Sequence, residues 1–552
     1  MPGGPGYVSN GTRTPNSTRT TTTDEFPDLV SQASQAAFWN ALLLPLVAIF
    51  NLAFAVIVRQ KFGLFSGVYD IVLGLSSAFI LYSSVGIPVS LTKFLPEIES
   101  SRGTVALLRF LRHASVFRLL VLVLVLVPFN ILAIPIAERL DLGADGATYL
   151  RLLSVLVVAR AVLDLVSKVL NTFFAQLWVN LMALTQSALN FGLVNLALLL
   201  GYGMSGVMGA LMVSSLVLSL IGASYTPYLL RRASNQPPKS VVVGSSKSDG
   251  LLVGEGNRFF RFASFSYVFE ISLFFSGMGF AGPALAVVLN REQVALFAVG
   301  FKFALMTVVV VVAAFRGLYR PLFARVRIRD NPSQLQRAFI AVTKIQILLL
   351  VPAGVGLVIM SADYVPLLFG LEFQPAVPIA QVLVCLMYAE TVFGLGVIVL
   401  SVDERYLRVF WTQSVLILLV PFFLFGAANY GVFMAAVVFG SARLGAALLG
   451  YLFCRRDYGF RFPWTFACRV GLVSLVMGSV LVVAQSWWTR SVIEAITLTF
   501  AGIVIFGFGL RIAKVMGPDE TELLRRGQLP GHRWILNWLV PSGQSVSAKW
   551  VS

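Results

Sequence analysis

Apolar runs of about 20 residues recur along this sequence between residues 34 and 512, and each is long enough to cross a bilayer as a helix. Of the 552 residues, 57% are hydrophobic and only 12% are charged. Soluble proteins carry about 25% charged residues, so a soluble fold is excluded. The runs are continuous rather than alternating, which excludes a transmembrane β-barrel. The sequence therefore predicts an all-α polytopic membrane protein.

The runs number about fourteen and form two sets of six followed by one further pair. A polar, Ser- and Gly-containing segment separates the two sets and is predicted to be a flexible cytoplasmic linker. Polar tails flank the spans, and the first of them is Thr-, Gly- and Pro-rich, a composition typical of disorder. The predicted divisions are an N-terminal tail at 1–33, an N-lobe at 34–230, the linker at 231–258, a C-lobe at 259–454, the additional pair at 464–513 and a C-terminal tail at 514–552.

The formal net charge is +17, which in a soluble protein would indicate a nucleic-acid partner. When alternate loops are assigned to opposite sides of the membrane, the basic residues separate. The loops on one side contain most of the basic residues, and those on the other side contain few besides Arg59, Lys61, Arg139, Arg291 and Arg490. By the positive-inside rule the richer side is cytoplasmic. Both termini are then cytoplasmic, as an even number of spans requires, and no nucleic-acid partner is expected.

Three charged residues stand four residues apart in the fourth apolar run: Arg160, Asp164 and Lys168. A four-residue step returns to nearly the same face of an α-helix, so they form one stripe. A charge at the centre of a spanning helix costs about 2.5–3.5 kcal/mol on insertion scales, so this stripe must face a polar interior. Three roles remain open for Asp164: a contact with substrate, a contact with a coupling ion, or an ion pair with its two neighbours on the stripe.

A weak internal repeat relates the two lobes. The segment GLFSGVYDIVLGL, starting at Gly63, aligns with ALFAVGFKFALMT, starting at Ala295, and each opens the second span of its lobe. The alignment places Asp70 opposite Lys302. Because transporters often bind their substrates between such repeats, we expect these two side chains to face each other across a central cleft.

Four further ionisable residues lie within the apolar runs: Glu270, Arg316, Glu390 and Arg443. A charge inside the membrane is by default a functional hypothesis, so we take the first three as candidate residues of the central cavity. Structural alternatives stay open for each. Glu270 could form a private ion pair with Lys302, Glu390 could pair with a neighbouring helix, and the two arginines could extend to the cytoplasmic surface, which is the expectation for Arg443.

The cations of the stripe outnumber its single carboxylate, which favours an anionic substrate such as a diphosphate. The sequence has no GxxxxGK[ST] motif, and with only two histidines a zinc site is not expected. No large external loop is predicted that could carry catalytic residues. We therefore expect neither an enzyme nor a resident cofactor, and coupling to Na⁺ or H⁺ is the one ionic requirement left open.

The sequence resembles bacterial polysaccharide-repeat and O-antigen lipid flippases. The resemblance is carried by the segment that begins Gly63-Leu64-Phe65, by the cytoplasmic end of that segment at residues 93–97 (KFLPE), and by the segment from Ala295 to Val326. These flippases are part of the multidrug, oligosaccharidyl-lipid and polysaccharide exporter superfamily. The resemblance implies a V-shaped, two-lobe transporter of the inner membrane. It would move a polyprenyl-diphosphate-linked oligosaccharide to the outer leaflet by alternating access, with membrane lipid around it and glycosyltransferases and a polymerase as pathway partners.

Three alternatives accompany this resemblance. Lipid II flippases share the fourteen spans, but the arginine and glycine segments typical of their N-terminus are not evident here. Multidrug or cation antiporters have about twelve spans and often an acidic residue in the first, where this chain has only Asn40 and Asn51, although Asp70 could substitute. A polysaccharide polymerase or ligase would need a large external loop, so it is the least favoured alternative.

Overall fold

The computed structural model describes residues 25–173, 175–234, 263–264, 267–268, 270–328, 332–403, 405–487, 491–513 and 515. Most of the predicted linker and of both predicted tails lies outside these residues. Throughout the described ranges the regular elements are helices. The α-helices are α1 (Glu25–Phe62), α2 (Gly67–Tyr82), α3 (Ile87–Ile131), α4 (Ala133–Arg139), α5 (Gly146–Thr172), α6 (Gln176–Leu199), α7 (Gly203–Ser234), α8 (Met278–Val288), α9 (Arg291–Ile328), α10 (Pro332–Phe369), α11 (Val377–Phe393), α12 (Leu395–Val402), α13 (Tyr406–Leu418), α14 (Val420–Tyr458), α15 (Trp464–Gln485) and α16 (Val492–Ile512).

Nine segments of the described chain are long and apolar enough to cross a membrane. Several of them are far longer than one crossing needs, and the longest covers 53 residues from Tyr406 to Tyr458. The all-α membrane fold is therefore confirmed. The number of about fourteen spans remains a prediction, because it depends on where these long segments turn.

Two of the longest helices reverse direction at a glycine. Gly431 in α14 has φ 75° and ψ −170°, which is not helical. A Cβ atom on Gly426 would lie 3.1 Å from the Cγ of Met434. Residues eight apart in a straight helix are separated by about 12 Å, so the chain must fold back between them. Gly103 in α3 has φ 75° as well, and Leu95 and Leu107 on either side of it share one buried cluster.

The second span is interrupted between α2 and α3. Val85 and Gly86 both have positive φ, at 47° and 71°, so the helical hydrogen bonding cannot continue through them. Gly86 also has the carbonyl oxygen of Ala263 where its Cβ would be, so a larger side chain does not fit here. The break releases backbone carbonyl groups of the last turn of α2, and side chains from other helices bind two of them, as described below.

The two halves of the sequence meet along α2. Gly67 packs against the backbone of Arg291 at the start of α9, and Gly74 packs against Pro283 of α8. A Cβ on Gly282 of α8 would lie 3.2 Å from the carbonyl oxygen of Asp70. Small residues permit this close approach, which is the usual way in which helices associate inside a membrane. The central cavity predicted from the sequence would therefore lie beside α2, α8 and α9.

The predicted additional pair, α15 and α16, packs on α10 in the second half of the chain. Met360 of α10 shares a buried cluster with Met477 and Leu481 of α15 and Leu498 of α16. The Tyr364 hydroxyl donates to the carbonyl oxygen of Ala495 at 3.0 Å. These contacts attach the pair to α10 rather than to the helices of the junction along α2.

Candidate functional site

Asp70 binds one cation from each half of the chain. Its Oδ1 accepts a hydrogen bond from Lys302 Nζ at 2.9 Å, and its Oδ2 accepts one from Arg59 Nη2. The Asp70 side chain is only 2% exposed. The contact between Asp70 and Lys302 predicted from the internal repeat is therefore present, and it joins the beginning of α2 to α9.

Tyr69 forms an aromatic surface beside this group. The Nζ of Lys302 lies 4.8 Å from the centroid of the Tyr69 ring, and the guanidinium carbon of Arg59 lies 5.9 Å from it. Both distances are within the range of cation–π attraction. The group contains two cations and one carboxylate, so it carries one excess positive charge.

The assignment of Arg59 to an external loop was wrong. Helix α1 continues to Phe62, so Arg59 lies in its last turn, and the residue is 1% exposed. The sequence signal was ambiguous because a basic residue at the end of a span is typical of both a loop and an ion pair. Only the approach of Asp70 to this turn distinguishes the two.

The stripe on α5 is a single helical face, as predicted, but its ion pairing differs from the expected one. Asp164 Oδ2 accepts a hydrogen bond at 2.9 Å from Arg118 Nη1 on α3, rather than from Arg160 or Lys168. Arg118 is 1% exposed and also donates to the carbonyl oxygen of Ala161 at 3.1 Å. The structural alternative for Asp164, an ion pair with its neighbours on the stripe, is therefore wrong, and its partner is a residue that we had not identified.

Arg118 also binds the interrupted second span. Its Nη2 lies 3.3 Å from the carbonyl oxygen of Ile80, in the last turn of α2 before the break. The side chain thus satisfies a backbone group that the break leaves without a helical partner, and it attaches this point of α2 to α5 through Asp164. In the sequence, the sign of this role is that Arg118 stands alone two residues inside the third apolar run.

Arg160 and Lys168 are the two cations of the stripe that remain available. Neither side chain makes a hydrogen bond or an ion pair with a residue that the structure describes, and both are half-buried. Arg160 interacts electrostatically with Tyr69, and Lys168 with Glu270. Two turns of helix, about 12 Å, separate them on the same face. Both therefore point toward the junction of the two halves.

Glu270 lies close to the break in the second span. Its Oε2 accepts a hydrogen bond of 3.4 Å from the hydroxyl of Ser84. Nothing in the sequence had indicated a role for Ser84. Lys168, Asp164 and Arg118 are near enough to act on it electrostatically. The alternative in which Glu270 pairs with Lys302 is wrong, because Lys302 binds Asp70.

Glu390 and Arg443 form a two-point ion pair inside the second half. The Nε of Arg443 lies 2.7 Å from Oε2 of Glu390, and its Nη2 lies 3.0 Å from Oε1. The third nitrogen, Nη1, donates to the carbonyl oxygen of Ser276. Arg443 therefore does not extend to the cytoplasmic surface as expected. The pair connects α11, α14 and the segment before α8, which favours the structural alternative for Glu390.

Arg316 lies in α9, but its side chain is outside the described part of the structure, so its place in the cavity stays a prediction. Within the described ranges no group of three or more His, Cys, Asp or Glu side chains could hold a metal ion. The arrangement therefore offers electrostatic binding of an anion, with Arg160, Lys168 and Lys302 as its cations. Asp70, Asp164 and Glu270 are the carboxylates beside them.

This helical fold of two halves, with ionisable side chains at their junction, is that of a multi-pass membrane protein. A family model described as "Polysaccharide biosynthesis protein" matches residues 255–378. Among curated protein sequences none matches the chain.

Solved structures agree with this fold. The lipid II flippase MurJ in its inward closed conformation aligns at a TM-score of 0.66 and 13% identity, covering 87% of this chain and 98% of its own. An inward-facing multidrug resistance MATE family transporter of the MOP superfamily aligns at 0.61 and 15% identity, covering 77% and 98%. The V-shaped fold implied by the sequence resemblance is therefore confirmed.

Proposed function

We propose that this protein is a flippase that moves a polyprenyl-diphosphate-linked oligosaccharide across the cytoplasmic membrane by alternating access. One observation carries the proposal: Arg160 and Lys168 share a face of α5, and neither side chain has an ion-pair partner among the described residues. Partial burial of an unpaired cation is costly, so a chain retains it where a ligand supplies the counter-charge. Arginine and lysine bind phosphate groups through charge-assisted hydrogen bonds.

The remaining charges support the same substrate. Lys302 is 22% exposed on its side chain and belongs to a group that carries an excess positive charge beside Tyr69. Arg160 interacts with the same tyrosine. A diphosphate that binds between Arg160 and Lys302 would therefore contact both halves of the transporter, which an alternating-access mechanism requires.

The extent of the structural similarity supports a lipid-linked substrate over a free drug. MurJ covers 87% of this chain, whereas the MATE transporter covers 77%. The match of residues 255–378 to a polysaccharide biosynthesis family supports an oligosaccharide headgroup. A lipid II flippase remains the second candidate because MurJ has the same fold.

The proposal includes the location of the protein, its orientation, its pathway partners and its coupling ion. We place it in the inner membrane with both termini cytoplasmic, on the basis of the basic residues in alternate loops. It acts as a transporter rather than an enzyme, and glycosyltransferases and a polymerase of the same pathway would supply and use its substrate. Movement of a charged substrate would be coupled to Na⁺ or H⁺, for which the embedded carboxylates are the available binding groups.

The test is a flipping assay in proteoliposomes. The probe is a polyprenyl diphosphate that carries a fluorescent N-acetylglucosamine, and quenching by membrane-impermeant dithionite reports the leaflet in which it lies. We expect wild-type protein to equilibrate the probe, and Arg160→Ala and Lys168→Ala to slow it by at least tenfold, since a lost charge-assisted bond is worth about 1.5–3 kcal/mol.

Arg151→Ala is the matched control. Arg151 is an exposed arginine on α5, nine residues from Arg160 and hence on the opposite face of the helix. Its substitution should leave flipping unchanged. Wild-type rates in both cavity variants would contradict the proposal. Faster movement of a lipid II probe or of ethidium would instead favour the lipid II flippase or the multidrug transporter.

A further inference from the structure

Glu270 differs from the other embedded carboxylates in its surroundings. Asp70 contacts Arg59 and Lys302, Asp164 contacts Arg118, and Glu390 contacts Arg443, so each has a cation within ion-pair distance. For Glu270 the part of the chain that the structure describes supplies one hydrogen bond, from the Ser84 hydroxyl at 3.4 Å. A half-buried carboxylate with one neutral donor is poorly compensated when it is ionised.

The position of Glu270 is also distinctive. Ser84 lies in the break between α2 and α3, and its Oγ accepts a hydrogen bond from the backbone N–H of Gly86 at 3.3 Å. One turn before Glu270, the Tyr267 hydroxyl donates to the carbonyl oxygen of Tyr82 at 3.2 Å. The segment that carries Glu270 thus contacts the interrupted second span at two points, and it belongs to the other half of the sequence.

The charged groups that face Glu270 come from two helices of the first half. Lys168 and Asp164 approach from α5, and Arg118 approaches from α3. Tyr267 and Tyr82 are the titratable side chains beside it near the break. Arg118 and Asp164 neutralise each other through their 2.9 Å contact, so among the described groups that act on this carboxylate the remaining charges are those of Glu270 and Lys168.

Lys168 is not in ion-pair contact with Glu270, but its charge is near enough to offset that of the carboxylate while no anion is present. An anion that binds Lys168 neutralises this nearby cation and adds negative charge beside Glu270. Uptake of a proton by the Glu270 carboxylate, which converts the carboxylate to a carboxylic acid, restores the balance without any further group. Because linkage is reciprocal, protonation of Glu270 would in turn strengthen anion binding at Lys168.

We propose that Glu270 is a proton-binding site linked to anion binding at Lys168, and that the two ligands bind together. This inference rests on the proposed function, because Lys168 is taken there as a contact of the diphosphate. It assigns the coupling ion as a proton and its carrier as Glu270. Asp70, Asp164 and Glu390 are occupied by the cations described above.

The test measures protons taken up when the full-length protein in nanodiscs binds inorganic pyrophosphate. Calorimetric titrations in buffers of different ionisation enthalpy give the number of protons bound per anion. We expect wild type to take up more protons than Glu270→Gln, by a fraction that approaches one. The protonation of pyrophosphate itself cancels in this difference. Affinity of the wild type should rise by at most about tenfold for each unit of decreasing pH, and that of Glu270→Gln should change less.

Three further variants complete the design, and one of them, Lys168→Ala, removes the anion contact itself. Glu270→Asp retains a titratable carboxyl and should retain the proton uptake, which guards against a folding defect in Glu270→Gln. Glu292→Gln removes an exposed carboxylate at the start of α9 and should behave as wild type. Equal proton uptake by wild type and Glu270→Gln, with pyrophosphate bound by both, would overturn the inference alone. Absence of binding by wild type, or binding unaffected by Lys168→Ala, would overturn the proposed function and this inference with it.

Discussion

Replacement of Asp70 by asparagine should destabilise the protein more than loss of either of its cations. Asp70 is 2% exposed, and among the described residues it is the carboxylate in contact with Arg59, which is 1% exposed, and with Lys302. Asparagine would leave both cations without a counter-charge. Removal of one partner from a buried ion pair costs about 3–5 kcal/mol, since the other charge is left uncompensated.

Lys302→Met should have a smaller effect, because it leaves the Arg59–Asp70 contact as a neutral pair. We expect a loss of about 0–2 kcal/mol, in which the lost contact is offset by removal of the excess charge. The double variant Asp70→Asn with Lys302→Met should then be less destabilised than the sum of the two single variants by about 1–3 kcal/mol, as expected for residues in direct contact.

The free energy of unfolding can be measured by steric trapping in bicelles, where unfolding is reversible enough for equilibrium analysis. Asp141→Asn is the control, because Asp141 forms an exposed contact of 3.4 Å with Arg291. Exposed ion pairs contribute about 0–1 kcal/mol. If Asp70→Asn and Asp141→Asn cost the same, or if the Asp70 and Lys302 variants are additive, the buried group does not act as described.

Three further predictions concern other buried contacts. Arg118→Met should lower the free energy of unfolding by about 3–5 kcal/mol, because it leaves the Asp164 carboxylate without its counter-charge and removes one donor from each of two carbonyl groups. The same steric-trapping assay measures this loss, and an effect below about 1 kcal/mol would contradict it. Gly67→Val should separate α2 from α9 at the Arg291 backbone and lower the free energy of unfolding by about 1–3 kcal/mol. Gly209→Val is the control and should not destabilise the protein, because no atom lies within 4 Å of its Cβ position. Proteolysis rates of the two purified variants compare their stabilities. Arg443→Lys should unfold at a temperature close to that of Arg443→Ala rather than that of wild type, because lysine cannot reproduce the two-point contact with Glu390. Full retention of the wild-type midpoint by the lysine variant would refute this prediction.

Part of the site could be predicted because the periodicity of one helix is fixed by its geometry. The shared face of Arg160 and Lys168 follows from their eight-residue spacing on α5. The contact between Asp70 and Lys302 followed from the alignment of two similar segments, since equivalent positions in related lobes meet near the axis that relates them. The first inference used the spacing within one segment, and the second used the similarity of two segments.

The partners of the other charges could not be predicted in this way. Arg118 and Asp164 are 46 positions apart, and Glu390 and Arg443 are 53 apart, so each contact depends on which helices become neighbours. Apolar spans differ little in sequence pattern, and many neighbour arrangements bury them equally well. A long arginine side chain can also reach either the membrane surface or a buried carboxylate from the same position.

The amino-acid sequence is enough to establish a helical bundle in a membrane, because apolar runs of this length are stable only as helices in lipid. It also determined that cations are placed on an interior face of α5, because their exposure to lipid would be too costly. Which of those charges are neutralised depends on the packing of the helices. Arg118 pairs with Asp164, and Arg59 and Lys302 both pair with Asp70, because ion pairs form between helices that packing brings together. Arg160 and Lys168 have no such partner among the described residues.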